Sequence, residues 1–158
     1  LVMNKRVKKT PDNPINALIS FGNTIVVYKN YFSNISDTSR PENKFSAWAV
    51  WRKISLSLDI SEVFKPVIVY RTIFDLVNKR KLQVEKHFDK NVNYCILNED
   101  GRKIFVQAFE DRMEKVFMHP LLKRKVSYRT ALKLDCYKLI KSILEEKDFV
   151  PFLLKEGM

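Results

Sequence analysis

The sequence predicts an all-α protein that folds as a single helical domain of about four to six helices. The chain of 158 residues is long enough for one domain with a real core, and 46% of it is hydrophobic. Only three glycines occur, although β-hairpins and phosphate-binding loops favour residues that tolerate positive φ. Apolar residues instead recur at helical spacing in four stretches.

The first helix is predicted over residues 14–30. Asp12 or Asn13 fits the N-cap position, and Pro14 suits the first helical turn. The apolar residues that follow at helical spacing are Ile15, Leu18, Ile19 and Ile25 or Val26.

A second helical stretch is predicted around Pro66, with a short lead before the proline and a longer segment after it. The longer segment ends in a basic cluster, where cations interact favourably with the helix dipole. Its apolar face comprises Ile68, Thr72, Ile73, Leu76 and Val77, and the cluster is Lys79, Arg80 and Lys81.

Two more helices are predicted in the second half of the chain. Asn98 is the expected N-cap of the third, with Glu99 and Asp100 in its first turn, and Pro120 is its expected end. The fourth begins at Ser127 and continues through apolar residues to Leu144, which leaves 148–158 as a packed or fraying tail.

The charge balance predicts a polyanionic partner. The chain has 29 basic and 18 acidic residues, a formal charge of +11, which favours nucleic acid first and an anionic membrane second. No apolar run approaches the ~18 residues that span a bilayer, so a soluble cytoplasmic protein is expected. The basic clusters are either solvated helix ends or weak DNA-binding candidates; two of them are Lys79, Arg80, Lys81 and Lys123, Arg124, Lys125.

The cysteines and histidines do not predict a metal site. Cys95 and Cys136 are far apart and outside any C-x-x-C pattern, so buried thiols in a reducing cytosol are expected. His87 and His119 lie beside predicted helix ends, where a partly buried or surface imidazole is the usual finding.

Asp59 and Glu62 form the sharpest candidate site. They are three residues apart at the opening of a helix, so both carboxylates can hold a hard divalent cation from one face. Acidic residues in a first turn also complement the helix dipole without any ligand. The spacing alone leaves both interpretations open.

Four blocks of the sequence together resemble the carboxy-terminal helical domain of the CRISPR-associated spacer-integration endonuclease family. The blocks follow the family's order over almost the whole chain: TPDNPINALISFG, SLSLDISEVFKPVIVYRTIFDLVNKRKL, NEDGRKIFVQAFEDRMEK and RKVSYRTALKLDCYKLIKSILEEKDFVPF. The resemblance implies a metal-dependent DNA endonuclease and integrase, in which a 3′ hydroxyl attacks a phosphodiester near Mg²⁺ or Mn²⁺.

The same resemblance implies the partners. The family joins an amino-terminal β domain, which this chain is expected to lack, to the helical domain. It forms homodimers that join a small CRISPR adaptation partner protein. The complex carries double-stranded DNA as the spacer precursor and inserts it into the repeat array, with no membrane involved.

The site residues of the family carry over only in part. Asp59 matches the catalytic, metal-binding Asp, Glu62 matches an accessory acidic position, and Asn16 and Arg71 match other recurrent polar positions. The family's catalytic Glu lies upstream of this chain, and Ala47 stands where its His belongs. The expectation is therefore a fragment that retains Asp59 and Glu62 but cleaves little or no DNA alone.

Residues 26–51 depart from the family in a way that a reading-frame shift explains. Degenerate codons for this segment, read one base out of register, permit LYTKIISQIYQTHLDPRISFLHGP, which resembles the family's T-H-L-D-P-x-I-x-F-L-H phrase. We therefore interpret the segment as the product of compensating one-base shifts near Val26 and Trp51. A poorly packed or irregular segment is expected over residues 36–53, with no catalytic role for Trp48 or Trp51.

Two other functions stay open. The chain could be a catalytically silent basic helical module that binds DNA non-specifically or pairs with a full-length homologue, and its DNA affinity would then fall steeply with salt. A plain helical interaction domain, unrelated to DNA, would bind no DNA at physiological salt.

Overall fold

The computed structural model describes residues 11–35, 55, 58–91, 94–120 and 122–145, and these are predominantly helical, as the sequence predicts. A helical run begins with residues 58–64 and continues through a π-helix at Lys65–Tyr70. Two antiparallel hairpins add a small amount of strand. The helices are α1 (Pro14–Ile35), α2 (Arg71–Asn78), α3 (Val84–His87), α4 (Glu99–Glu114) and α5 (Tyr128–Glu145), and the strands are β1 (Phe88–Asn91), β2 (Tyr94–Leu97), β3 (Val116–His119) and β4 (Arg124–Ser127).

Side-chain caps begin the long helices where the sequence predicts them. Asn13 Oδ1 accepts a hydrogen bond from the Asn16 amide at 2.9 Å, so Asn13 caps α1. Asn98 Oδ1 accepts from the Gly101 amide at 2.9 Å and caps α4. At the start of α5, Ser127 Oγ accepts from the Thr130 amide at 3.2 Å.

Pro66 widens the second helical stretch instead of breaking it. Proline has no amide hydrogen, and in an α-helix its ring clashes with the carbonyl of the fourth residue before it. The π-helical turn from Lys65 to Tyr70 includes this proline, and α2 follows directly. The short lead and the longer segment predicted on either side of Pro66 are thus both present.

The two hairpins are the main addition to the predicted fold. Strand β1 pairs with β2, with Phe88 opposite Leu97. Strand β3 pairs with β4, with His119 opposite Arg124, so α4 ends at Glu114 and not at the predicted Pro120. Lys123 adopts a φ of 49° in the β3–β4 connection, which is why scarce glycine did not exclude a hairpin.

Backbone contacts divide the chain into two compact units. The first unit comprises Leu1–Ile25 and Pro66–Glu114, and the second comprises Val26–Lys65 and Lys115–Met158.

The core of the first unit forms where α1, the π-helix and α4 meet. The rings of Phe21 and Phe105 are packed edge to face, with centroids 5.4 Å apart. Gly22 allows α1 to lie close to the π-helix and α4, because a Cβ atom at this position would lie 2.5 Å from Val69 Cγ1 and 2.9 Å from Phe105 Cζ. Between α4 and α2, Arg112 Nη1 lies 3.9 Å from Asp75 Oδ2.

The core of the second unit includes the β3–β4 hairpin and the start of α5. Phe117 packs on Tyr128 with ring centroids 4.7 Å apart, and the Tyr128 amide donates to the Lys115 carbonyl at 3.1 Å. Polar residues are buried here as well, since His119 is 2% and Asp135 1% exposed. The buried apolar residues of this unit include Val26, Ile60, Phe64, Val126, Ala131 and Leu132.

Several sequence predictions concern residues outside the described part of the chain. These are the positions of Ala47, Trp48 and Trp51 and the tail 148–158.

Cys95 and Cys136 are both buried, as predicted. Burial raises the pKa of the Cys95 thiol, Lys90 opposes this shift and Asp12 adds to it. Among the described helices, none is long and apolar enough to cross a membrane.

Candidate functional site

The carboxylate pair lies on the exposed face of the helical residues 58–64. Asp59 is exposed, and the Glu62 side chain retains 68% of its accessible surface. Ile60 and Phe64 lie four residues apart and are each 1% exposed, so they anchor the opposite face of this helix in the second unit. Both carboxylates thus lie on a helix and face solvent.

Glu62 is already engaged by a cation. Lys65 Nζ donates a hydrogen bond to Glu62 Oε1 at the next turn, and the Lys65 side chain is only 14% exposed. A largely buried lysine one turn away partly neutralises Glu62. Asp59 is therefore the better candidate of the two for holding a cation.

The described residues do not complete a metal site. Within these parts of the chain, no three or more His, Cys, Asp or Glu side chains converge as ligands. Divalent cations of the Mg²⁺ type need several oxygen ligands, and two carboxylates with one engaged by lysine do not meet that need. Asp59 and Glu62 alone therefore fit only part of the ligand set that the family resemblance implies.

Asn16 and Arg71 belong to the first unit and differ in their surroundings. Asn16 is 3% exposed, and its Nδ2 donates to Asp12 Oδ1 at 2.9 Å. These contacts tie the first turn of α1 together, which is a structural role. Arg71 is exposed as the first residue of α2.

The basic cluster Lys79, Arg80 and Lys81, here called the helix-end turn, closes α2 in the first unit. The Lys81 amide donates to the Leu76 carbonyl at 3.0 Å, and the Arg80 amide donates to the Val77 carbonyl at 3.0 Å. These are the two bonds of a Schellman motif, with Arg80 at the left-handed position and a φ of 50°. Glycine is the usual residue there, so a cation occupies a strained position.

The basic cluster Lys123, Arg124 and Lys125, here called the hairpin turn, lies in the second unit. All three residues are exposed, and Lys123 has a φ of 49°. Among the described residues, Arg80 and Lys123 are the non-glycine residues with positive φ, and each belongs to a basic cluster. Composition identified both clusters, but it gave no signal of their backbone conformation.

The family model for CRISPR associated protein Cas1 matches residues 1–111 of the chain. The chain belongs to the Cas1 family. This confirms the resemblance noted in the sequence. A CRISPR-associated endonuclease Cas1 of Fusobacterium nucleatum is 48% identical over 149 residues, which are 94% of this chain and 44% of that protein. Another Cas1 endonuclease, from Thermodesulfovibrio yellowstonii, is 42% identical over 151 residues, or 95% of this chain and 46% of its own length.

Solved structures agree with this family assignment. A Cas1 protein from Thermotoga maritima has a TM-score of 0.73 at 34% identity, covering 92% of this chain and 44% of its own. A casposase bound to its integration product has a TM-score of 0.76 at 19% identity, which shows a shared fold. The chain thus spans slightly less than half the length of these Cas1 relatives.

Proposed function

We propose that this chain is the carboxy-terminal helical domain, residues 1–158, of a metal-dependent DNA endonuclease and integrase that inserts new spacers into a CRISPR array. The observation that carries the proposal is the match to Cas1 endonucleases over about 95% of the chain. Exposed Asp59 supports it from the structure, because a solvent-facing carboxylate is available to a cation.

In this proposal Asp59 supplies one oxygen ligand to Mg²⁺ or Mn²⁺ and Glu62 is accessory. The ligand set stays incomplete, because Glu62 is paired with Lys65. Neither Asp59 nor Glu62 replaces the Glu and the His that the family uses as further metal ligands. The chain by itself therefore cleaves little or no DNA. Its proposed partners are double-stranded DNA, a second copy and a small CRISPR adaptation protein, in the cytoplasm.

Nicking of supercoiled plasmid tests this proposal. The purified chain is incubated with Mn²⁺, and Asp59→Ala serves as the matched variant. Nicking at background level by both proteins is the expected result. Robust Mn²⁺-dependent nicking that Asp59→Ala abolishes would contradict the expected inactivity, while it would support Asp59 as a ligand.

The frame-shift interpretation of residues 26–51 has a direct test in the gene. The codons from Ile35 to Trp48 must permit the T-H-L-D-P phrase in the shifted frame. Codons that forbid it exclude the interpretation, and resequencing the locus then separates a mutation from an error in the sequence.

A second function is favoured by the two basic turns: a catalytically silent module that binds DNA non-specifically or pairs with a full-length homologue. Its support is the formal charge of +11 and the exposure of both clusters. A labelled duplex of random sequence, titrated at several salt concentrations, should show affinity that falls steeply with salt and ignores Asp59→Ala. Absence of DNA binding at physiological salt would instead favour a plain helical interaction domain.

A further inference from the structure

A buried histidine lies directly beneath the hairpin turn. His119 is the last residue of β3, is 2% exposed, and pairs with Arg124 across the hairpin. Its Nδ1 accepts a hydrogen bond from the Leu122 amide at 3.2 Å, and its carbonyl accepts one from the Lys123 amide at 2.9 Å. His119 therefore holds two consecutive backbone amides at the start of the hairpin turn, those of Leu122 and Lys123.

The hydrogen bond defines the protonation state of this imidazole. Nδ1 can accept the Leu122 amide only if it carries no proton, so the ring is neutral with its hydrogen on Nε2. Protonation would place a hydrogen on Nδ1. The Nδ1–H and the Leu122 N–H, both donors, would then face each other and could not form a hydrogen bond. The side chain holds the turn in the neutral form alone.

The surroundings of His119 favour the neutral form. Burial lowers the pKa of His119 below its ordinary value of 6.5. On α5, Lys138 lowers this pKa further and Asp135 opposes it, while Arg124 on β4 adds a smaller lowering effect. The Asp135 effect is tempered, because Lys138 Nζ lies 3.7 Å from Asp135 Oδ1.

The turn itself needs a constraint to keep its shape. Lys123 is in the left-handed region at a φ of 49°, which strains a residue that carries a Cβ atom. The two His119 bonds hold the Leu122 and Lys123 amides, which directly precede the Lys123 Cα, and so oppose relaxation of that backbone. On its own strand, His119 also stacks with Phe117 at a centroid distance of 6.3 Å, which limits movement of the ring.

We propose that His119 is a positioning residue that holds the hairpin turn in the shape that presents Lys123, Arg124 and Lys125 to backbone phosphates of DNA, and that protonation of His119 releases the turn. The inference rests on the DNA binding proposed above. It adds a residue that contacts no DNA yet controls a phosphate-binding surface. It also makes that surface sensitive to pH.

The test compares two amide substitutions in the full chain. In His119→Asn the side-chain oxygen can take the place of imidazole Nδ1, whereas in His119→Gln it reaches toward the position of Nε2. Asparagine should therefore keep the bond to the Leu122 amide and glutamine should lose it. Circular dichroism and thermal melting establish that each variant is folded.

Amide hydrogen exchange gives the structural readout. At pH 7.5 the protection of the Leu122 amide should fall about tenfold or more in His119→Gln and stay near wild type in His119→Asn. The Cys95 amide, which donates to the Pro11 carbonyl at 2.7 Å in the first unit, is the internal control. Equal protection of Leu122 in the glutamine variant would overturn the positioning role.

The wild-type chain supplies a second measurement that needs no substitution. Nitrogen chemical shifts of His119 should report the Nε2–H tautomer at pH 7.5. Protection of the Leu122 amide should then drop on acidification in step with protonation of His119, and stay level in His119→Asn. A tautomer with the proton on Nδ1 would contradict the proposal even if the glutamine variant fails to fold.

DNA affinity separates this inference from the proposed function. For a labelled random duplex, His119→Gln should bind about three- to tenfold more weakly and His119→Asn about as tightly as wild type. Replacing Lys123, Arg124 and Lys125 together by Gln should weaken binding more. If that triple variant binds normally, DNA binding by the hairpin turn is wrong; if it weakens binding and His119→Gln does not, the positioning role is wrong.

Discussion

The helix-end turn and the hairpin turn present the same three-residue pattern of cations on different supports. In the first unit, backbone bonds at the end of α2 fix the turn, with Arg80 at the left-handed position. In the second unit, a buried imidazole fixes the turn that contains Lys123. Similar basic surfaces can therefore respond differently to acid, because a backbone carbonyl does not titrate and a histidine does.

The largest expected effect tests whether both turns bind DNA. Replacing all three cations of either turn by Gln should weaken binding to a random duplex about tenfold or more at low salt. Each cation that contacts a phosphate contributes about 0.9 to the slope of log affinity against log salt, so the slope should shrink by up to about 2.7. Fluorescence anisotropy at a series of salt concentrations measures both quantities.

Lys103→Gln is the control for that experiment, because Lys103 is exposed on α4 and its Nζ lies 2.8 Å from Glu99 Oε1. It should change the affinity and the slope little. If the salt slope falls for the triple Gln variant of only one turn, the two turns do not contribute equally to DNA binding.

The next effect compares the two histidines. Both accept a backbone amide at Nδ1, His87 from Gln83 at 2.9 Å and His119 from Leu122 at 3.2 Å, but only His119 is fully buried. Replacement of His119 by Leu should lower the free energy of unfolding by about 1–3 kcal/mol, because the partly buried Leu122 amide loses its acceptor.

His87→Leu is the matched variant, with an expected loss below about 1 kcal/mol since water can reach that site. Urea unfolding followed by circular dichroism measures both changes. Equal losses would mean that burial of the imidazole does not determine how much each histidine contributes to stability.

The third effect is the pH dependence of stability. Because the pKa of His119 is lowered by folding, the unfolded chain binds a proton more readily below the ordinary value of 6.5. The contribution of His119 to stability is therefore complete above pH 6.5 and is lost as the pH falls toward the lowered pKa. Urea unfolding at pH 7.5 and at stepwise lower values should show the loss in the wild type.

His119→Asn should remove that part of the pH dependence, because asparagine does not titrate. His87→Asn is the control and should leave it in place. A wild-type profile that the His119 substitution does not change would assign the dependence to other groups.

The smallest expected effect concerns the left-handed residues. Arg80→Gly should raise the free energy of unfolding by up to about 1 kcal/mol, since glycine relieves the strain but gives the unfolded chain more freedom. Lys123→Gly should gain less, because His119 fixes the same backbone. Lys81→Gln and Lys125→Gln are charge-matched controls without positive φ.

If Arg80→Gly gains stability while DNA affinity falls, a cation is retained at a strained position for binding. Loss of stability in Arg80→Gly would instead show that the arginine side chain supports the turn. The same pair of measurements on Lys123→Gly shows how far the histidine accounts for the difference between the turns.

The helical fold class, the family and the helix starts at Asp12 or Asn13, at Asn98 and at Ser127 could be predicted from the sequence alone. Caps and helical spacing are local, because they connect residues within one or two turns of each other. The basic clusters and the Asp59–Glu62 spacing are equally visible in the sequence, although the metal-binding role of that pair remains a prediction.

The hairpins, the positive φ of Arg80 and Lys123 and the burial of His119 depend on the tertiary structure. Strand β3 continues a sequence that would extend α4, but Phe117 packs on Tyr128 and His119 faces charges on α5. These contacts join parts of the chain that no helical periodicity relates, and burial of a histidine depends on what covers it. The pH response of the hairpin turn therefore could not be predicted from the sequence, because its cause is the environment that folding builds around one imidazole.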